Sequence, residues 1–323
     1  MQLQGIHHIT AVTGNASLNV AFYTQVLGLR LVKKTVNQDD VSAYHLFYAD
    51  ADGRPGTDLT FFDWPAIGRN RPGSGMVSAI GLSVAERDQL PWWEKRLDSF
   101  HVQHDPIKDD TQHGRSVLAF RDPEGQRLEL IADRRGAMEV TPWKDSSIPT
   151  EMALRGFSAA TLTVKKLEPS ALVLTEVLGF RRVDRGDETQ KDDVVFEVGS
   201  GGPGGELRLH VNPNIPYGHL GAGGVHHIAW RTPDTQQHQQ WRDRLASASL
   251  NVTPVIDRFY FKSIYFREPG GVLFEIATDG PGFATDEDIE HLGERLALPP
   301  FLEPYRETIE ANLTPITPPD LSA

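Results

Sequence analysis

Two histidine doublets lie near opposite ends of the 323-residue chain, His7-His8 in "GIHHITAV" and His226-His227 in "GGVHHIAW". Each opens a run that reads as a strand. The chain contains no cysteine, which excludes thiolate metal sites, disulfides and cysteine nucleophiles and leaves nitrogen and oxygen as the donors for any metal. A lone histidine in a strand is more often structural than functional, so the doublets need a context. Carboxylates supply one: "FRDPEGQRLELIAD" and "FREPGGVLFEIATD" place Glu129 and Glu275 at matching points of two similar segments.

The elements that must position these groups come from an internal repeat. Val26-Leu27-Gly28 recurs as Val177-Leu178-Gly179, and Trp93 in "WWEKRLDS" matches Trp241 in "WRDRLAS". Each half divides again, giving four units at about 4–65, 75–135, 154–213 and 223–279. In the first, "GIHHITAV" is a strand, "NASLNVAFYTQVLG" a helix capped by Asn15 and stopped by Gly28, and "RLVKKTV", "AYHLFYA" and "DLTFFDW" are strands. The fold class is therefore α+β: four βαβββ modules in two tandem halves, 1–150 and 151–285, followed by a tail at 286–323.

Aligning the first strands sets His8 and His227 level with Ala79 and Ala159. Aligning the last strands by a preceding glycine sets Glu275 level with Thr60, Glu129 and Arg208. A single βαβββ unit leaves one face of its curved sheet bare, so modules must pair. If sequence neighbours pair, neither cup holds a good metal set. If the first pairs with the fourth, His8, His227 and Glu275 converge with Thr60 beside them, and Glu129 meets Arg208 in the other cup as an ion pair. Two histidines and one carboxylate with vacant positions suit non-haem Fe(II), and Mn(II) is compatible with the same donors. Strict alternation puts His7 and His226 on the opposite face.

"HHIT", "YHLFYADADGRPGT", "GGVHHIAW", "SIYFREPGGVLFEIATD" and "PGFATDED" together resemble the ring-cleaving dioxygenases of the vicinal oxygen chelate superfamily, in particular the hydroquinone dioxygenases. The resemblance covers almost the whole chain and implies iron on His8, His227 and Glu275, with Thr10, His7, His226, Arg258 and Tyr265 lining the site. It implies insertion of both oxygen atoms of O2 into an aromatic diol beside one hydroxyl. Tyr265 and Arg258 are candidates to stabilise phenolate or superoxide charge, a histidine to move the proton, and Phe259, Tyr260 and Phe261 to wall the ring.

Two further readings stay open: a glyoxalase-type lyase or isomerase on Zn(II) or Ni(II), and a metal-free binder of aromatic or quinone ligands. Thr60 in the fourth position argues against the first, whose sites present a second acid. The remaining histidines, His45 among them, are by default solvated or structural. A net charge of −12 without a basic run gives no footprint for nucleic acid or anionic membrane. Neither a signal sequence nor a membrane span is expected, which points to the cytoplasm. Exposed sheet edges leave room for a homodimer. "GSGGPG" at 199–204 fits a dinucleotide-binding pattern, but "ELRLHV" after it reads as a strand, which makes it a hairpin loop. The tail is expected to form a short helix around "PYRETIEANL", pack beside the cup and end without fixed structure.

Overall fold

The computed structural model describes residues 1–110, 114–183 and 193–322. Among the described residues, sixteen strands form two eight-stranded sheets, each made of two modules. The first module contributes β1 (Ile6–Thr13), β2 (Arg30–Asn37), β3 (Asp40–Ala49) and β4 (Asp58–Asp63). The second contributes β5 (Met76–Val84), β6 (Lys108–Asp110), β7 (Arg115–Arg121) and β8 (Arg127–Asp133). From the third come β9 (Phe157–Val164), β10 (Arg181–Val183), β11 (Asp193–Glu197) and β12 (Glu206–Val211). The fourth supplies β13 (Gly224–Thr232), β14 (Ile256–Asp257), β15 (Lys262–Arg267) and β16 (Leu273–Thr278).

One sheet runs β14-β15-β16-β13-β1-β4-β3-β2 and the other β10-β11-β12-β9-β5-β8-β7-β6. The first module thus pairs with the fourth and the second with the third, through antiparallel contacts β1–β13 and β5–β9. Each sheet draws one module from each sequence half.

The helices follow the local signals. Asn15 accepts a hydrogen bond from the Leu18 amide at the start of α1 (Ala16–Ala21), which continues as a π-helical turn, Phe22–Val26. Gly28 ends it at φ +68°, a conformation that favours glycine. The third module repeats the device with α3 (Leu167–Leu172), the turn Val173–Val177 and Gly179 at φ +77°. Trp93 on α2 (Leu90–Ser99) and Trp241 on α4 (Thr235–Ser247), matched in sequence, are both buried in the apolar core between helices and sheets. Among the described residues, no helix is long and apolar enough to cross a membrane. The "GSGGPG" segment joins the antiparallel strands β11 and β12, as expected.

The tail is a strap along β2. Arg30 donates to the carbonyls of Ile289 and Glu290, and Lys33, fully buried, donates to Phe283 O (3.1 Å), to Asp286 Oδ1 (2.7 Å) and to Glu287. The expected short helix is α5 (Arg306–Asn312). The expectation of an unstructured end is corrected: Thr317 N donates to Ser17 Oγ, and Gln25 both donates to Pro319 O and accepts from Leu321 N.

Candidate metal centre

His8 and His227 arrive on the two central strands of the first sheet, and their surroundings repeat by module. His8 is followed two residues on by Thr10, which pairs with Thr60 on β4; His227 is followed by Ala229, which pairs with Glu275 on β16. The second sheet carries the same frame without histidine: Ala79, then Gly81 opposite Glu129, and Ala159, then Thr161 opposite Arg208. There Arg208 Nη1 lies 3.3 Å from Glu129 Oε2, the expected ion pair. It belongs to a larger network in which Arg208 also meets Glu206, and Arg115 holds both Glu206 and Asp133.

In the first sheet the donors converge. His8 Nε2 and His227 Nε2 are 3.2 Å apart, and Glu275 Oε2 lies 3.3 Å from the first and 2.9 Å from the second. Three mutually cis donors at about 2.1 Å from one ion would stand about 3.0 Å apart. Glu275 Oε2 is buried and, despite this proximity, accepts no hydrogen bond of acceptable geometry, as expected of three atoms aimed at a common centre. The other oxygen, Oε1, is satisfied by the Ser263 hydroxyl. The residues fit a divalent ion, and among the described residues theirs is the one cluster of three such side chains with metal-binding spacing.

Electrostatics agree with that use. Burial pushes the His227 imidazole down from its ordinary value, favouring the neutral form a metal needs. Burial alone would push the Glu275 carboxyl up, but attraction from His8 and the contact with His227 hold it well below the usual carboxylate range.

His7 and His226 correct the alternation argument. The β1–β13 register slips once at His7 and once at His226: each is the extra residue of a β-bulge, which re-aims its side chain. His7 Nδ1 comes to 2.9 Å from His8 Nδ1, and His226 Nδ1 to 2.8 Å from His227 Nδ1. The second sheet slips at Ser78 and Ser158, so the bulge belongs to the module and not to the histidines. Burial lowers the His7 pKa well below its ordinary value and takes His226 down to about 3.

A cavity of about 450 Å³, counting its mouth, opens beside the triad, lined by His8, His227, Phe47, Phe62, Phe261 and Tyr265 and closed by a polar rim. Phe261 packs against His7 and His8 with ring centres 5.2 and 5.1 Å away. Tyr265 stands edge-on to His227, and burial pushes its hydroxyl pKa well up. Arg258 lines the cavity, but both terminal nitrogens are held by Asp39 at 3.0 and 2.8 Å. Phe259 does not line it; its φ of +69° and the Tyr260 N to Arg258 O hydrogen bond form a strained γ-turn. Tyr260 reaches the cavity while its hydroxyl donates to Asp286. Thr10 Oγ1 bonds Thr60 Oγ1 at 2.8 Å, and Thr60 Oγ1 bonds His45 Nε2 at 3.0 Å.

Sequence reasoning missed Ser263, Phe47, Phe62 and His45. Only His45 carried a signal, an imidazole inside an aromatic strand.

The sequence profile of the Glyoxalase/Bleomycin resistance protein/Dioxygenase superfamily matches residues 5–130 and 156–276. The chain is 44% identical over 317 residues to MhqA, a candidate ring-cleaving dioxygenase of Bacillus subtilis (strain 168), covering 98% of this chain and 100% of that protein. It is 33% identical over 317 residues to the chlorohydroquinone/hydroquinone 1,2-dioxygenase of Sphingobium indicum, covering 95% of each. A crystal structure of a candidate dioxygenase from Bacillus subtilis superposes with a TM-score of 0.90 at 41% identity over 98% of both chains. Glyoxalase I from Zea mays shares the fold at TM-score 0.63 and 15% identity, over 85% of this chain and 92% of the other.

Proposed function

Because the chain belongs to the Glyoxalase/Bleomycin resistance protein/Dioxygenase superfamily, we propose that it is a ring-cleaving dioxygenase of extradiol type. In this reading it acts on hydroquinone-type aromatic diols with O2 and holds Fe(II) on His8, His227 and Glu275. The observation that carries the reading is three buried donors spaced 2.9–3.3 Å at the floor of a cavity walled by aromatic rings. A facial triad with no fourth protein donor among the described residues would give bound Fe(II) open positions for a diol oxygen and for dioxygen.

The protein's own residues do the rest. Phe47, Phe62 and Phe261 shape an apolar slot for a flat ring. Tyr265, its hydroxyl kept protonated by burial, can donate a hydrogen bond to developing oxyanion charge beside His227. Arg258 acts by fixing the rim through Asp39 and stacking near Tyr265, its Cζ 5.5 Å from the ring centre. His7, anchored on the Thr278 carbonyl, sets the tautomer of His8, and His226 makes the matching contact to His227 Nδ1. With Thr60, bound to Thr10 and His45, where a four-ligand site has an acid, the arrangement does not favour the lyase or isomerase reading.

An oxygen electrode tests the proposal on Fe(II)-loaded protein offered hydroquinones and catechols. Uptake of one dioxygen per diol with loss of the aromatic absorbance is expected. No uptake with any diol, together with turnover of a hemithioacetal by the Ni(II)-loaded protein, would replace this reading with the glyoxalase-type one.

A further inference from the structure

Resting on that reading, we infer that His45 is a substrate-positioning residue whose imidazole hydrogen-bonds the second hydroxyl of a para-diol and sets a preference for it over an ortho-diol. His45 lies on β3, lines the same cavity as His8 and His227, and is wedged between Phe47 and Phe62 with ring centres 4.0 and 4.4 Å away. Its Nε2 is fixed by Thr60 Oγ1 at 3.0 Å, and Thr60 is tied in turn to Thr10. Among the described residues, no hydrogen bond reaches its Nδ1.

Several other polar groups of the rim are engaged with one another. Arg258 is gripped by Asp39, Gln38 Nε2 donates to Arg258 O, and Asn37 Oδ1 accepts from Asp39 N. Thr35, the cross-strand neighbour of His45, has a buried hydroxyl with no hydrogen-bond partner among the described residues, so the two residues together offer unpaired polar atoms at this wall of the cavity. A ring held by one oxygen at the triad places a para hydroxyl at the far end of the aromatic slot, where a polar group without a partner would cost binding. A hydroxyl both donates and accepts, so it satisfies either tautomer of His45. Burial holds this imidazole well below its ordinary pKa, so it is offered uncharged. An ortho-diol keeps both oxygens at the triad end and needs no such partner.

The test compares the unmodified protein with His45→Phe and His45→Gln, each metal-loaded and checked for equal metal content. Dissociation constants for hydroquinone and catechol are measured without oxygen, and KM values with it. His45→Phe is expected to weaken hydroquinone roughly tenfold while leaving catechol nearly unchanged, and His45→Gln, which keeps a hydrogen-bonding end, to recover most of the loss. Equal weakening of both diols, or unchanged hydroquinone binding, would overturn the inference, as would an unmodified protein with no affinity for hydroquinone. A protein that binds hydroquinone but consumes no oxygen would end the dioxygenase reading, while the binding series would still decide the role of His45.

Discussion

His7 Nδ1 stands 2.9 Å from His8 Nδ1, and the far nitrogen of the His7 ring lies 3.1 Å from the carbonyl oxygen of Thr278. A carbonyl only accepts, so His7 Nε2 carries the proton and its Nδ1 is the acceptor. His8 must then donate from Nδ1, which leaves its Nε2 lone pair for a metal. This is the outer support that fixes a ligand imidazole's tautomer and orientation. His7→Phe is expected to weaken metal affinity roughly 10- to 100-fold, read by competition with a chelator. His226 shows no such anchor on its Nε2 among the described residues, so His226→Phe is expected to cost less. Equal affinities in the His7 variant and its parent would contradict the arrangement.

Thr60 stands where the repeat would place a second acid. Thr60→Glu is expected to retain the ion while removing most dioxygen uptake with diols, because a fourth protein donor closes an open position. Metal analysis alongside the oxygen electrode checks both halves, and full uptake with metal retained would refute the role given to the open face.

Lys33 is fully buried, paired with Asp286 and Glu287 and 4.8 Å from the centre of the Tyr260 ring. Lys33→Met leaves Asp286 without its cation and Glu287 with only the exposed Arg295 at 3.9 Å, and breaking a buried pair by removing one partner costs about 3–5 kcal/mol. Urea denaturation of the metal-free protein should show a loss of that order. A loss below about 1 kcal/mol would match a surface pair instead.

Burial pushes the Asp122 carboxyl, which accepts from Tyr23 and from the amides of Glu124 and Gln126, up to about 6. An unfolded aspartate titrates near 3.9, so the folded state prefers the protonated form. This contribution to stability is fully present below about pH 4 and is lost as pH rises through about 6. Asp122→Asn removes the titration. Relative to the variant, the parent is expected to lose about 2–3 kcal/mol between pH 4 and pH 7.5, and parallel stability profiles would contradict this.

The repeat was readable because it is written in residue types: Gly-Gly-Val before one doublet, Pro-Gly-Gly before Glu275, tryptophan at matching helix positions. The pairing of first with fourth module followed, since only that pairing completes a donor set. Hydrogen-bond register is not written in residue types. The slips at His7 and His226 have counterparts at Ser78 and Ser158, where nothing in the side chains announces them, and so alternation misplaced the outer imidazoles. His45 reads in sequence as one of the solvated or structural histidines because its partner, Thr60, comes from the neighbouring strand. The proline-rich tail has the composition of an unstructured end, yet a few hydrogen bonds to Ser17 and Gln25 hold it on the first helix.

Metal stoichiometry after anaerobic reconstitution tests most directly whether strands from opposite ends of the chain build one centre. The parent is expected to retain one Fe(II) per chain through desalting, and His8→Ala, His227→Ala and Glu275→Ala each to lose it while keeping the far-ultraviolet circular dichroism of the parent. Undiminished iron in any one of the three variants would contradict the shared centre.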